Sequence, residues 1–170
     1  MKLNLRIALI GLIALVAIGG LLRVSSPIAD FSAGHKTVTL VVDFGSQSNR
    51  PTLVKRLTGL AASTTGWSLF STASIAVEGT TQYPTGFVCR IDGWPRQADE
   101  ACKNTPGVKG YWAYFVTDQR FGHGWVLSGQ GAAQHVSNCG GWEGWLWVAE
   151  GAKLSTPGVA PKVDSSDCQK

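Results

Sequence analysis

Three residue types could carry chemistry at a metal or nucleophilic site in this sequence: cysteine, histidine and serine. A zinc site needs converging Cys or His ligands, commonly with paired C-x-x-C spacing. The four cysteines lack that spacing, and His35, His123 and His135 are scattered along the chain. A serine nucleophile favours a G-x-S-x-G turn, and Ser128 lacks the glycine two residues before it. The sequence therefore predicts no metal site and no serine-based catalytic site.

Carboxylates are the remaining candidates for catalysis. Glycosidases pair one carboxylic acid with one carboxylate, but the acidic residues of this chain cannot be sorted into such roles from their spacing. We interpret them as solvated turn residues and predict no catalytic residue, so an envelope hydrolase is the weakest of the functional hypotheses. The candidates are Asp92, Asp118, Glu143 and Glu150.

Tryptophan is the unusual feature, with seven residues in the chain. Four of them stand beside glycine-containing turns, where a ring can form a flat apolar surface with a polar edge. Core packing of a small domain is the alternative for each ring taken alone. For the group, the sequence favours a binding surface. The four are Trp94, Trp125, Trp142 and Trp145.

The stretch around Trp94 shows how such a surface is positioned. Phe87, Cys89 and Ile91 share one parity and therefore one face of a predicted strand. The turn-forming residues 92–95 follow directly and carry the indole. A strand, a tight turn and an exposed ring together predict an aromatic rim, formed by the turn at residues 92–95, that could contact a ligand.

The N-terminus predicts export. Lys2 and Arg6 precede an uncharged apolar run over residues 7–22, which is typical of a secretory signal or a signal anchor. We assign residues 1–24 to this segment and favour an uncleaved anchor. The positive-inside bias then places the domain on the extracytoplasmic face of the membrane, and cleavage would make it secreted. A linker over residues 25–36 leads to the domain.

Export and cysteine content together predict two disulfides, because secreted chains form them readily. Three connectivities are possible for four cysteines. We favour Cys89–Cys102 and Cys139–Cys168 because each pair joins neighbours in sequence. Closing the first loop would stabilise the fold by about 3 kcal/mol in the chain-entropy model.

The net charge of +4 does not indicate a nucleic-acid partner. Half of it lies in the first 34 residues, and the remainder forms no basic run or patch. A protein that neutralises a phosphate backbone needs clustered Lys and Arg. We therefore predict no nucleic-acid binding.

The periodicity of the domain, residues 37–150, predicts one early helix among short strands. Residues 37–45 form a β-branched run that ends at a glycine. Leu53, Leu57 and Leu60 have helical spacing within residues 51–63, which predicts one amphipathic helix. Residues 151–170 form a tail. Further strands are predicted over residues 74–77, 87–91, 111–116, 125–127 and 145–148.

These elements define an α+β domain: a small mixed or mainly antiparallel sheet with one packed helix. The strand over residues 111–116 is apolar on both faces, with Tyr111, Ala113 and Phe115 opposite Trp112, Tyr114 and Val116. We therefore expect it to be a central strand.

Several ordered motifs resemble a known family. They are the segments over residues 42–45, 86–95, 111–115, 125–132 and 141–145, together with Cys102. In this order they resemble a family of actinobacterial secreted proteins and, more distantly, the transcobalamin C-terminal-like domain family. The resemblance covers about residues 37–148 and implies a β-rich fold with one helix.

The resemblance also implies ligand capture without catalysis. It suggests a corrinoid such as cobalamin as the small-molecule ligand and a membrane uptake transporter as partner, with no resident cofactor. The alternative is a structural or protein-interaction module of the cell envelope. By analogy, the ligand-facing residues are Asp92, Gly93, Trp94, Trp112, Tyr114, Trp125, Ser128 and Trp142.

Overall fold

The computed structural model describes residues 36–104, 107, 109–117, 124–164 and 168. The predicted signal or anchor segment lies outside these residues, as do Asp118 and His123. Within the described part of the chain, no helix is both long enough and apolar enough to span a membrane.

The described residues form a mostly β fold with one short helix. Five strands make a mixed sheet in the order β2-β1-β7-β5-β6, with β1 and β7 parallel and the other neighbours antiparallel. Strands β3 and β4 form a separate antiparallel pair. The elements are β1 (Lys36–Asp43), β2 (Leu53–Leu60), α1 (Ser68–Thr72), β3 (Val77–Gly79), β4 (Val88–Ile91), β5 (Gly110–Thr117), β6 (Trp125–Leu127) and β7 (Trp142–Ala149).

The helix predicted for residues 51–63 is wrong, because β2 occupies that segment and pairs with β1. Leu57 and Leu60 are both buried although three residues apart. One extra residue on β2 shifts the register between them, and Gly59 there has a φ of 68°. A bulge of this kind returns Leu60 to the face of Leu57 and imitates helical spacing.

The helix instead comes later, at α1, directly after Trp67. Its Leu69 and Phe70 are fully buried. The Phe70 ring packs against the rings of Trp67 and Trp145, with centroids 6.5 and 5.5 Å away. A helix of five residues has little stability of its own, so this apolar packing holds it on the sheet.

Strand β5 lies inside the sheet with both faces covered, as predicted. Trp112 and Tyr114 belong to the larger core cluster, which also holds Leu69 and Phe70 of α1. We call this side of the sheet the first face. Ala113 and Phe115 point to the opposite side, the second face, where they pack with residues of β7.

The chain after β7 crosses the second face. Main-chain carbonyls of Val159 and Lys162 accept hydrogen bonds of 2.8 and 2.9 Å from the indole N–H groups of Trp125 and Trp142. The predicted tail thus packs on the sheet over residues 157–162, which we call the C-terminal strap.

Two disulfides close the fold, with the pairing that the sequence favoured. Cys89 of β4 bonds to Cys102, and Cys139 bonds to Cys168 beyond the strap. No described cysteine is free. This pairing is consistent with an oxidising, extracytoplasmic environment.

Candidate functional site

A buried carboxylate lies in the first face. Glu143 of β7 is 2% exposed, and its Oε2 accepts a hydrogen bond of 2.5 Å from the hydroxyl of Tyr114 on β5. The interpretation of Glu143 as a solvated turn residue is therefore wrong. It belongs to a strand and shares its parity with Trp145 and Trp147, which places all three side chains in the core.

Two cationic or titratable groups approach this carboxylate. His135 Nε2 lies 3.8 Å from Glu143 Oε1. The Lys36 ammonium lies nearby and donates three hydrogen bonds of 2.8–3.2 Å to main-chain carbonyls. The ammonium is therefore held by the backbone instead of forming an ion pair with the carboxylate. The acceptors are the carbonyl oxygens of Ala62, Thr64 and Ser137.

Burial governs the protonation of this cluster. It raises the pKa of Glu143 to about 7, although the hydroxyls of Ser137 and Tyr114 and the charge of Lys36 act in the opposite direction. Burial also lowers the pKa of His135, and the Lys36 charge lowers it further. Burial therefore favours the neutral imidazole of His135 and the protonated carboxyl group of Glu143.

A groove of about 590 Å³ opens beside His135. Its walls are the ends of β5 and β6, residues 128–130 and 134–136, and Asn138. Leu127 and Val136 line it and are 52% and 50% exposed, more than any other large apolar side chain in the described part of the chain. Apolar groups at this exposure contribute little to the core and remain available for contact with a ligand.

Polar side chains complete the lining of the groove. His135, Gln134 and Gln130 border it, together with Ser128, the one predicted ligand residue found there. The Ser128 hydroxyl donates a 2.8 Å hydrogen bond to the carbonyl of Gln130, which shapes the turn after β6. No Lys or Arg is among the described lining residues.

The other predicted ligand residues lie elsewhere. Trp112 and Tyr114 are core residues, 4% and 8% exposed. Trp125 and Trp142 lie on the second face, beneath the C-terminal strap.

The predicted rim around Trp94 is a separate turn. The Trp94 ring packs edge-on against Trp147, 6.4 Å between centroids, and borders a smaller cavity of about 310 Å³. Asp92 and Gly93 form the exposed turn with φ of 48° and 77°. Arg50 holds this turn by an ion pair with Asp92 and a 2.7 Å hydrogen bond to its carbonyl. The predicted residues thus divide among the core, this turn, the groove and the second face.

Sequence reasoning missed His135 and the groove because both depend on how residues 128–138 fold back beside β6. The alternation of Glu143 with Trp145 and Trp147 was visible in the sequence and pointed to a buried acid. In the part of the chain that the structure describes, no three His, Cys or carboxylate side chains converge in a way that could hold a metal ion.

Comparison with protein-family models, with curated proteins and with solved structures finds no match. The resemblance to the transcobalamin C-terminal-like domain family stays a prediction.

Proposed function

We propose that this chain is an extracytoplasmic, non-enzymatic binding module that holds a small ligand in the groove beside His135. One observation carries the proposal. The two most exposed large apolar side chains among the described residues, Leu127 and Val136, line the same concave site. Its volume of about 590 Å³ falls in the usual range of small-molecule sites, roughly 300–1,000 Å³.

The lining defines the ligand chemistry. Leu127 and Val136 favour an apolar body, and burying it supplies most of the affinity. Gln134 offers amide donors and an acceptor, and a neutral His135 offers one donor and one acceptor. This lining favours a ligand with an apolar body and a hydrogen-bonding edge.

A corrinoid remains the specific candidate, as the family resemblance suggests. Its amide-bearing periphery would match the polar wall of the groove, and the groove would hold it by one edge. Within this proposal, the chain is tethered to the membrane or secreted and passes the ligand to an uptake transporter. The two disulfides support the extracytoplasmic location.

Isothermal titration of the full-length oxidised protein against cobalamin, cobinamide and a panel of neutral apolar metabolites tests the proposal. We expect Leu127→Asp and Val136→Asp each to weaken binding by about tenfold or more, because a carboxylate replaces apolar contact. Val54→Asp is the matched control. Val54 is 46% exposed on the edge strand β2, away from the groove.

Two results would contradict this proposal. Binding that persists in both groove variants and is lost in Trp94→Ala would show that the ligand binds at the Trp94 turn instead of in the groove. Absence of heat across the whole panel, from a folded and disulfide-intact sample, would favour the structural or protein-interaction alternative.

A further inference from the structure

The two oxygens of the buried Glu143 carboxyl group differ in their surroundings. Oε2 accepts the hydrogen bond from Tyr114, whereas Oε1 is buried and accepts no hydrogen bond from the described residues. Unpaired polar atoms in a core are rare, and many have a functional role. His135 Nε2 lies 3.8 Å from Oε1. Closing that gap by about 1 Å would give both atoms a hydrogen bond of ordinary length.

His135 connects this oxygen to the groove. Its side chain is 16% exposed and lines the groove, so the ring that approaches the carboxyl group is also within reach of a ligand. The Tyr114 ring packs edge-on against the imidazole, 6.0 Å between centroids, and the amide of Gly66 donates to the His135 carbonyl. The protonation of the Glu143 carboxyl group can therefore affect what a ligand meets in the groove.

Tyr114 decides which carboxyl oxygen carries the proton of a protonated Glu143. Because the tyrosine hydroxyl donates to Oε2, that proton belongs on Oε1, where it can donate to His135 Nε2. The neutral imidazole then carries its own proton on Nδ1. When Glu143 is ionised, Oε1 is an acceptor and the imidazole proton belongs on Nε2. The carboxyl group thus sets whether Nδ1 is a donor or an acceptor.

The surrounding groups favour a neutral imidazole in both states. In the part of the chain that the structure describes, the titratable groups around Glu143 are Tyr114 on β5, Lys36 on β1 and His135 itself. Burial and the Lys36 charge both lower the pKa of His135, and burial raises the pKa of Glu143. Three main-chain carbonyls hold the ammonium in place. The tautomer of His135 therefore changes with Glu143, while its charge does not.

We propose that His135 determines which hydrogen-bonding group the groove accepts from a ligand, and that Glu143 is the positioning residue that sets this preference through the imidazole tautomer. With Glu143 ionised, Nδ1 accepts, and the groove takes an apolar ligand that carries a hydroxyl or N–H donor. With Glu143 protonated, Nδ1 donates, and the groove takes an apolar ligand that carries an acceptor. By linkage, a donor ligand also favours the ionised carboxylate. The inference rests on the proposed ligand site and adds the polar group of the ligand.

The tautomer can be measured without a ligand. In the full-length oxidised protein, long-range proton–nitrogen correlation spectra distinguish a ring nitrogen that carries a proton from one that does not. Between about pH 6 and about pH 8.5 we expect the His135 proton to move from Nδ1 to Nε2. In Glu143→Gln, the amide oxygen accepts from Tyr114 and the amide nitrogen donates to Nε2, so Nδ1 should keep its proton at every pH.

Two control variants isolate the role of Glu143. Glu150→Gln, at an exposed position after β7, should show the same change of tautomer as the wild type. Ser137→Ala removes the other buried hydroxyl near Glu143 and should also follow the wild type, because Nε2 remains opposite Oε1. If Glu143→Gln does not fold, the titration of the wild type decides the question.

Two flat apolar probes test the contact with a ligand. Indole can only donate a hydrogen bond through its N–H group, and quinoline can only accept one at about pH 8. Chemical-shift changes at His135 and Val136 measure both affinities. At that pH we expect indole to bind the wild type about fivefold more tightly than Glu143→Gln, because one hydrogen bond is lost in the variant. Quinoline should show the opposite order.

Two outcomes would overturn the inference. The first is a His135 tautomer that stays the same in the wild type across the whole pH range. The second is a ratio of indole to quinoline affinity that is equal in the wild type and in Glu143→Gln. If neither probe binds although the tautomer changes, the groove is not the ligand site. The proposed function would then fail, and the proton exchange between Glu143 and His135 would stand.

Discussion

Tyr114 and Glu143 are joined across neighbouring strands by a 2.5 Å hydrogen bond, and Gly66 covers the pair so closely that a Cβ there would overlap both side-chain oxygens. The buried carboxylate thus depends on a glycine from the turn before α1. That glycine is fixed in turn by its amide hydrogen bond of 3.1 Å to the carbonyl of His135.

Gly66→Ala should destabilise the fold by about 2–4 kcal/mol. The added methyl group must separate Tyr114 from Glu143 or move the turn, and either change leaves a buried polar atom without its partner. Urea unfolding of the oxidised protein measures the loss. Gly129→Ala is the control, because a Cβ there meets open space. Equal stability of the two variants would contradict the close packing over the pair.

Glu143 should make the protein less stable as the pH rises from about 4.5 to about 7. Burial raises the pKa of Glu143 from 4.5 to about 7, so the folded chain keeps a proton that the unfolded chain has lost over this range. The stabilisation that comes from this retained proton is complete below pH 4.5 and is lost as the pH rises past 7. The difference amounts to as much as about 3 kcal/mol.

The comparison of wild type with Glu143→Gln isolates this effect, because glutamine keeps the acceptor for Tyr114 and cannot ionise. The pKa of His135 is lowered in the folded chain, so His135 makes the free energy of unfolding rise with pH below its ordinary pKa. Both proteins contain His135, so this effect is common to the two profiles. The free energy of unfolding in urea at several pH values gives the two profiles. Glu150→Gln, at an exposed position after β7, should follow the wild-type profile. Parallel profiles for wild type and Glu143→Gln would refute the raised pKa.

Arg90→Lys should destabilise the protein by about 2–3 kcal/mol. The buried guanidinium donates hydrogen bonds of 2.7 Å to the carbonyls of Pro95 and Glu100 and pairs with Glu78. A lysine ammonium cannot reproduce the planar fork that reaches three acceptors, so buried carbonyls lose their donors.

Arg96→Lys is the matched control for Arg90→Lys. Arg96 is largely exposed and pairs with Asp99 three residues along the chain, and such pairs contribute little to stability. Thermal unfolding under non-reducing conditions compares the two variants. A loss of the same size in both would show that the buried fork has no special role.

Replacing both Cys89 and Cys102 with alanine should cost about 3 kcal/mol, because the unfolded chain regains the freedom of the closed loop. The bond ties β4 to the loop after the Trp94 turn. Chemical denaturation without reductant leaves Cys139–Cys168 intact and measures this bond alone. An unchanged midpoint would mean that other contacts, such as those of Arg90, already fix the loop.

Sequence periodicity located most strands because their apolar residues alternate or crowd with aromatic side chains. β6 has the predicted bounds, and β5 has the predicted two apolar faces. Periodicity gave the wrong prediction at β2. A single bulge at Gly59 puts Leu57 and Leu60 on the same face of the strand, and their three-residue spacing looks like that of a helix. Local propensity cannot show such a bulge, since it arises from pairing with a strand elsewhere in the chain.

The candidate site was harder to predict than the fold. Ser128, which the family resemblance places among the ligand-facing residues, lines the groove, but His135 reaches the groove through loop packing that has no sequence period. The tryptophans were correctly noted as exceptional, yet a sequence cannot show whether a ring points inward, as Trp112 does, or toward another segment, as Trp142 does. That distinction depends on the order of strands in the sheet.

The parallel pairing of β1 with β7 sets the order of events during synthesis. Thr39 pairs with Trp142, and β7 is the central strand of the sheet, with β1 on one side and β5 on the other. A nascent chain that has emerged from the ribosome only as far as β6 therefore lacks the strand that joins β1 and β2 to β5 and β6. Contacts of such high sequence separation form slowly. We expect the domain to stay unfolded until nearly all of it has been translated, which would leave a translocation channel time to engage an extended polypeptide.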